Sequence, residues 1–156
     1  MTLVAERTVI RDWVAAPRAG HGIHVADDAD GWTRYDYPEI AGRAMRVAAA
    51  LHAQGVAPGD RVCVLMPSGI DYIAAIYAVW VAGAAVTPVP PPVFEDRDQY
   101  LDRAASIITQ TRCRLTVTTP ELLDLTQAAH ARAGQGAARL YEEAADELAP
   151  VPAPEL

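Results

Sequence analysis

The stretch that decides the fold is Arg61–Pro92, "RVCVLMPSGIDYIAAIYAVWVAGAAVTPVPPP". It opens on "RVCVLM", a short unbroken apolar run between turn signals, which suits a strand covered on both faces. A helix follows from Ile70 to Ala82, apolar nearly all round and therefore centrally buried, and it closes at Gly83. Ser68 and Asp71 have capping-box spacing for its start. "AAVTPV" is the next strand. A strand, a helix and a strand this closely spaced form a right-handed crossover between parallel strands, so the class is α/β: a mostly parallel sheet with flanking helices.

The same patterning extends both ways from this unit. Upstream, "DYPEI" places Asp36 as N-cap, Pro38 in the first turn and Glu39 as the capping-box acid of a helix from about Tyr37 to Gln54. Ile40, Ala44, Val47, Ala48 and Leu51 form its apolar face, and Gly55 ends it with Val56 folding back. Before it, "HGIHVA" and "GWTRYDY" flank the turn-rich "DDADG" as a hairpin, and residues 4–15 form an entry helix with Val4, Val9, Trp13 and Val14 on its apolar side. Downstream come a helix over Glu95–Gln110, a strand in "CRLTVT", and a helix opened by Thr118 and Glu121 that reaches Ala131. The folded unit thus spans 1–132, with 1–36 as entry helix and hairpin, and 133–156 reads as a linker or tail toward a downstream domain.

Composition excludes several classes of function. The net charge is -7 and no run of arginines forms a stripe, which argues against nucleic acid. All 13 basic side chains are Arg, so any chemistry here uses no lysine of its own. Residues 72–94 carry no charge and approach the roughly 20 residues of a membrane span, but Gly83 and the prolines interrupt them, so no span is expected. Cys63 and Cys113 lie in apolar runs without Cys-x-x-Cys spacing and read as buried thiols of a reducing compartment. The N-terminus lacks a signal-peptide apolar core, and the expected location is cytoplasmic.

Motifs that could carry chemistry are few. "HGIH" resembles a ligand pair, but positions three apart on a strand point to opposite faces, and no metal site is expected. "MPSGI" lacks the first glycine of a nucleophile elbow, which leaves Ser68 as an N-cap. Neither "APGDR" nor "RAGQG" stands between a strand and a helix as a phosphate loop must. "PVPPP", Pro88–Pro92, fits P-x-x-P spacing, yet it is tethered to a buried strand and reads as the device that ends that strand.

Taken as a series, "YDYPEIAGRAMRVAAALHAQGVAPGDRVCVLMPSGIDYIAAIYAVWVAGAAVTPVPPP" resembles the N-terminal portion of the acyl-adenylate-forming superfamily. The matching residues are the glycine turn and strand at Gly55–Val62 and the "AGA" exit at Ala82–Ala84. Pro88–Pro92 and the following "YLDRAASII" look most like the fatty acyl-AMP ligases within it. The resemblance covers about residues 30–125. It implies a parent reaction in which ATP and Mg²⁺ activate a fatty acid to an acyl-adenylate and pyrophosphate, the acyl group then passing to an acyl carrier protein.

In that family the phosphates are held by a Ser/Thr/Gly-rich loop ending in Lys, by later acidic and Arg residues, and by a Lys of a C-terminal domain. None of these can be placed here, so no catalytic, cofactor-binding or metal residue is assigned and the chain alone is expected to be inactive. Trp80 and Pro90, Pro91 and Pro92 are the candidate wall of an acyl pocket, completed by the remaining portion of the enzyme as partner. Two alternatives stay open. One is a stand-alone interaction or dimerisation protein whose uncovered apolar surface favours self-association. The other is a fragment of an acyl-CoA synthetase or a peptide-synthetase adenylation domain.

Overall fold

In the computed structural model, residues 9–26 and 31–140 are described. Residues 4–8 of the expected entry helix, most of "DDADG" and the tail from 141 onward lie outside them.

The architecture is three layers around one parallel sheet. Strands β3 (Arg61–Leu65), β4 (Ala85–Pro88), β5 (Leu115–Thr118) and β6 (Ala138–Leu140) lie in the order β4-β3-β5-β6, and every pairing is parallel. Helices α1 (Val9–Ala15), α2 (Tyr37–Ala53) and α3 (Ile70–Val81) form one layer, while α4 (Arg97–Thr111) and α5 (Leu123–Ala133) form part of the other face. A separate antiparallel hairpin, β1 (Gly22–Ala26) with β2 (Trp32–Asp36), leads into α2.

Strand periodicity of two divides the core. On β3, Val62 and Val64 pack with Ala44, Val47, Ala75 and Val79 of α2 and α3. The alternate residues Cys63 and Leu65 pack with Tyr100, Ala104 and Ile108 of α4 and Ala129 of α5. From Val62 to Leu65 no residue is more than 1% exposed. Such a strand needs apolar side chains on both faces, which is why its sequence shows a continuous run and no alternation.

Three helices of this fold end in the same way. Gly55 and Gly83 have φ of 79° and 76°, and the amides of Val56 and Ala84 reach back to Leu51 and Val79 across 2.9 and 3.0 Å. This Schellman geometry satisfies orphan carbonyls and turns an apolar residue inward. At the end of α4 the same turn is made by Arg112, at φ 50°, with the Cys113 amide 3.1 Å from the Ile108 carbonyl. No glycine marks that end in the sequence, but Cys113 is delivered into the core just as Val56 and Ala84 are.

Several local expectations are corrected. The Ser68–Asp71 capping box does not form: Gly69 holds the N-cap position, and Asp71 instead accepts from Arg43 at 2.7 Å, tying α3 to α2. Asp36 does stand at the N-cap of α2 but makes no cap bond; Arg34 takes its carboxylate at 2.5 Å, and Glu39 pairs with Arg43 at 3.0 Å. Guanidinium groups within reach outcompete the backbone amides for these carboxylates. Thr118 is the last residue of β5 and not a cap, because the chain first makes a 3-10 turn at Pro120–Leu122. Val9 is 83% exposed, and Ile10 takes its expected place against the core.

The largest difference lies in 133–140, expected to be linker. Gly134 and Gly136, at φ 70° and 76°, turn the chain back, and Ala138–Leu140 pairs with Thr116–Thr118 as a fourth parallel strand. Three residues are too few to show a strand period, and the ladder is set by the turn before it. Gly136 is sterically fixed as well, since an added Cβ would come within 2.7 Å of the His130 ring and 3.0 Å of the Cys113 carbonyl. Gly20 shares its φ of 76° but has open space around it. We therefore expect Gly136→Ala to destabilise by about 2 kcal/mol or more and Gly20→Ala by only about 1 kcal/mol, read from urea unfolding of both variants.

Candidate functional site

The sheet order places a divergence between β3 and β5. After β3 the chain enters α3 on one face; after β5 it enters α5 on the other. Open α/β sheets bind ligands in the crevice outside the carboxyl ends of strands at such a switch point. Here the edge is formed by Met66–Ser68 after β3, by Thr119 and Pro120 after β5, and by Val89–Pro92 after β4. This C-terminal edge is the candidate functional site.

The β4 exit is held in place from both ends. The Val89 amide donates to the Val64 carbonyl at 2.9 Å, and Val89 itself is buried. The Tyr100 hydroxyl donates to the Pro90 carbonyl at 3.2 Å. Burial pushes the Tyr100 phenol up to about 12, so the donor proton stays in place across the physiological range. The Arg103 guanidinium lies 5.0 Å from the Tyr100 ring and reaches Glu95 at 2.9 Å, and Asp96 caps α4 through the Asp98 amide. Prolines that lack a donor, and anchors on either side, give this segment one extended path.

Trp80 does not join that edge. It sits on the last turn of α3, which runs against the strand direction and ends before β4 begins, whereas Pro90–Pro92 follow the opposite end of β4. Its ring meets Tyr77 edge-on at 5.4 Å, and Tyr77 stacks on Trp13 at 4.9 Å. Beside this cluster lies a cleft of about 330 Å³ lined by Trp13, Ile23, Tyr37, Ile40, Ile73 and Tyr77. Trp80 is therefore part of an aromatic packing cluster between α1 and α3, while Pro90 and Pro92 are exposed at the sheet edge and Pro91 is half-buried.

Across the α4–α5 face runs a polar network that residue patterns alone do not single out. The His130 Nε2 lies 2.8 Å from the Thr116 hydroxyl, and its Nδ1 lies 2.9 Å from the Gln135 carbonyl. A carbonyl only accepts, so Nδ1 carries the proton and Nε2 accepts from Thr116. The hydroxyls of Thr118 and Thr126 are 3.0 Å apart, and Thr126 also donates to the Leu122 carbonyl at 2.7 Å. The signal that could have found His130 is its place on the Leu125, Thr126, Ala129 face of α5, all buried. The His130 part of the network joins α5 and the turn before β6 to the middle of β5, and the Thr118–Thr126 pair lies at the carboxyl end of that strand.

The remaining candidates are structural. Cys113 donates its thiol to the Leu115 carbonyl at 2.7 Å, and the neighbouring Cys113 together with burial pushes the Cys63 thiol up. The hydrogen bond with Cys63 holds the Cys113 thiol down at about 7, so of this pair Cys113 is the one that ionises first, and both are buried in the core. His24 is exposed on β1, and Ser68 is exposed at the edge. Among the described residues no three of His, Cys, Asp and Glu come together as a metal site, and no helix is long and apolar enough to cross a membrane.

Burial holds the His130 imidazole below its ordinary 6.5, with the Gln135 carbonyl opposing the shift. The folded state then binds fewer protons than the unfolded chain once the pH falls through 6.5, so stability present above that value is lost toward the depressed one. Urea midpoints should fall between about pH 7.5 and about pH 5.5 in the native chain. His130→Gln should be less stable at the upper pH by about 1–3 kcal/mol, yet show less of that decline. Parallel pH profiles in the two chains would exclude this role.

Comparison with known proteins agrees with this geometry. The family model described as AMP-binding enzyme matches residues 12–154. The 4-hydroxyphenylalkanoate adenylyltransferase of Mycobacterium marinum is 39% identical over 109 residues, which is 69% of this chain and 17% of that protein. The salicyl-AMP ligase / salicyl-S-ArCP synthetase of Mycobacterium tuberculosis is 43% identical over 79 residues, 49% of this chain and 14% of that protein. Among solved structures, a chain from the fatty acyl-adenylate ligases of E. coli and L. pneumophila superposes with a TM-score of 0.75 at 20% identity, over 93% of this chain and 27% of that one. The present chain thus spans less than a fifth of the length of these curated relatives. With a family match over nearly all its length and a fold that superposes on part of such a structure, the chain belongs to the AMP-binding enzyme family.

Proposed function

We propose that this chain is the N-terminal subdomain of a fatty acyl-AMP ligase and supplies a preformed wall of the acyl site. The observation that carries the reading is the exit from β4. There the Val89 amide makes the last bond to β3 and Pro90–Pro92 lead in one fixed path to α4, in a fold shared with fatty acyl-adenylate ligases. The complete enzyme would activate a fatty acid with ATP and Mg²⁺ and hand the acyl group to a carrier-protein thiol. An aryl-acid substrate is the second reading, favoured by the 43% identity to the salicyl-AMP ligase.

The residues of this chain do not fit ATP and Mg²⁺. There is no lysine to meet a phosphate, and no glycine-rich phosphate loop joins a strand of this sheet to the helix after it. No acidic cluster offers itself to a cation among the described residues. Transition-state charge on transferring phosphoryl oxygens needs preorganised donors and cations. What this chain contributes is therefore shape: a rigid sheet edge, and Pro90–Pro92 as the part of the acyl wall nearest to it. Trp80, on the far end of α3, contributes packing.

The chain alone should show no ATP–pyrophosphate exchange above a no-protein control with either a fatty or an aryl acid. Exchange at a rate that scales with chain concentration would overturn the proposal, because it would mean that this chain holds ATP without a lysine or a glycine-rich phosphate loop.

A further inference from the structure

Directly after the proline segment stand Val93 and Phe94, 74% and 98% exposed. An isolated exposed apolar residue is ordinary, and this pair differs in how it is held. The loop that carries it is fixed on one side by Val89 and the Tyr100–Pro90 bond, and on the other by the Glu95–Arg103 pair and the Asp96 cap. A mobile loop could fold Phe94 against its own surface. This one presents the ring to water from a pinned backbone, the arrangement in which an aromatic anchor loses little freedom on docking.

We propose that Val93 and Phe94 are the docking anchor through which this subdomain binds the remaining portion of the adenylating enzyme. The inference rests on the reading above, that this chain is one part of such an enzyme. Two observations choose that occupant. More than four fifths of each curated relative lies outside the aligned region, which is chain enough to supply such an occupant. The loop also stands at the carboxyl edge of the sheet, the edge at which this fold class binds its ligands and which here has neither a lysine nor a glycine-rich phosphate loop. Those groups must be brought to that edge by the rest of the enzyme, and the anchor is already beside it.

The test is co-expression of this chain with the M. marinum adenylyltransferase lacking its aligned segment, followed by purification and titration of the complex. The native chain should form a 1:1 complex, and Phe94→Ser should weaken it by about thirtyfold or more. Val93→Ser should weaken it less, and both variants should keep the native urea midpoint because neither side chain is buried. Equal complexes from native and Phe94→Ser chains would overturn the anchor while leaving the subdomain reading intact. No complex with the native chain would overturn that reading, and the anchor with it. A homodimer of the native chain abolished by Phe94→Ser would assign the surface to a second copy and overturn the proposal.

Discussion

The structure depends on one strand that is dry on both faces. Val62–Leu65 of β3 send alternate side chains into two separate cores, and β3 is the strand that β4 and β5 both pair with. Removing it would separate α2 and α3 from α4 and leave two sheet edges unpaired. Because a parallel strand cannot pair with its sequence neighbour through a tight turn, each connection must be a helix, and the helix must then cover the face it crosses. The layers follow from that constraint. So does the position of the switch point, since successive connections leave β3 and β5 toward opposite faces.

That dependence explains what could be read from residue order. The apolar run of β3, the wholly apolar α3 and the glycine turns at Gly55 and Gly83 each carry a local signal that agrees with the final packing. The end of α4 carries none: Arg112 adopts the left-handed turn without glycine, because the buried Cys113 and the ladder beyond it hold the chain there. Carboxylates were the poorest guide. Asp36 and Asp71 have cap spacing, but Asp36 meets Arg34, its neighbour on β2, and Asp71 meets Arg43, which only the folded chain brings near. Strand β6 was hidden for a related reason: its three residues have no period, and the glycine turns and the His130 contact that set it are tertiary.

The candidate site was legible in part. The proline exit from β4 stands at the sheet edge as its sequence context implies, since proline ends a ladder whatever lies beyond it. Trp80, expected at the same wall, lies at the opposite end of β4, because a helix antiparallel to its strand places the residues flanking that strand at opposite ends. The network around His130 had no motif to announce it. Its members are spread over three elements, and the spacing that unites them is the register between β5 and β6.

Membership of the AMP-binding enzyme family and the absence of lysine are what support the proposal of a subdomain that contributes form while the phosphate chemistry lies elsewhere in the enzyme. That account requires the chain to hold its three layers by its own contacts, with β3 as their common support. Native-state hydrogen exchange of the purified chain tests this most directly. The amides of Val62–Leu65 and Leu115–Thr118 should exchange only through global unfolding, more slowly than those of β1, β2 and β6. Exchange of the β3 amides as fast as those of the β1–β2 hairpin would contradict it, and would mean that the sheet forms only when the rest of the enzyme is present.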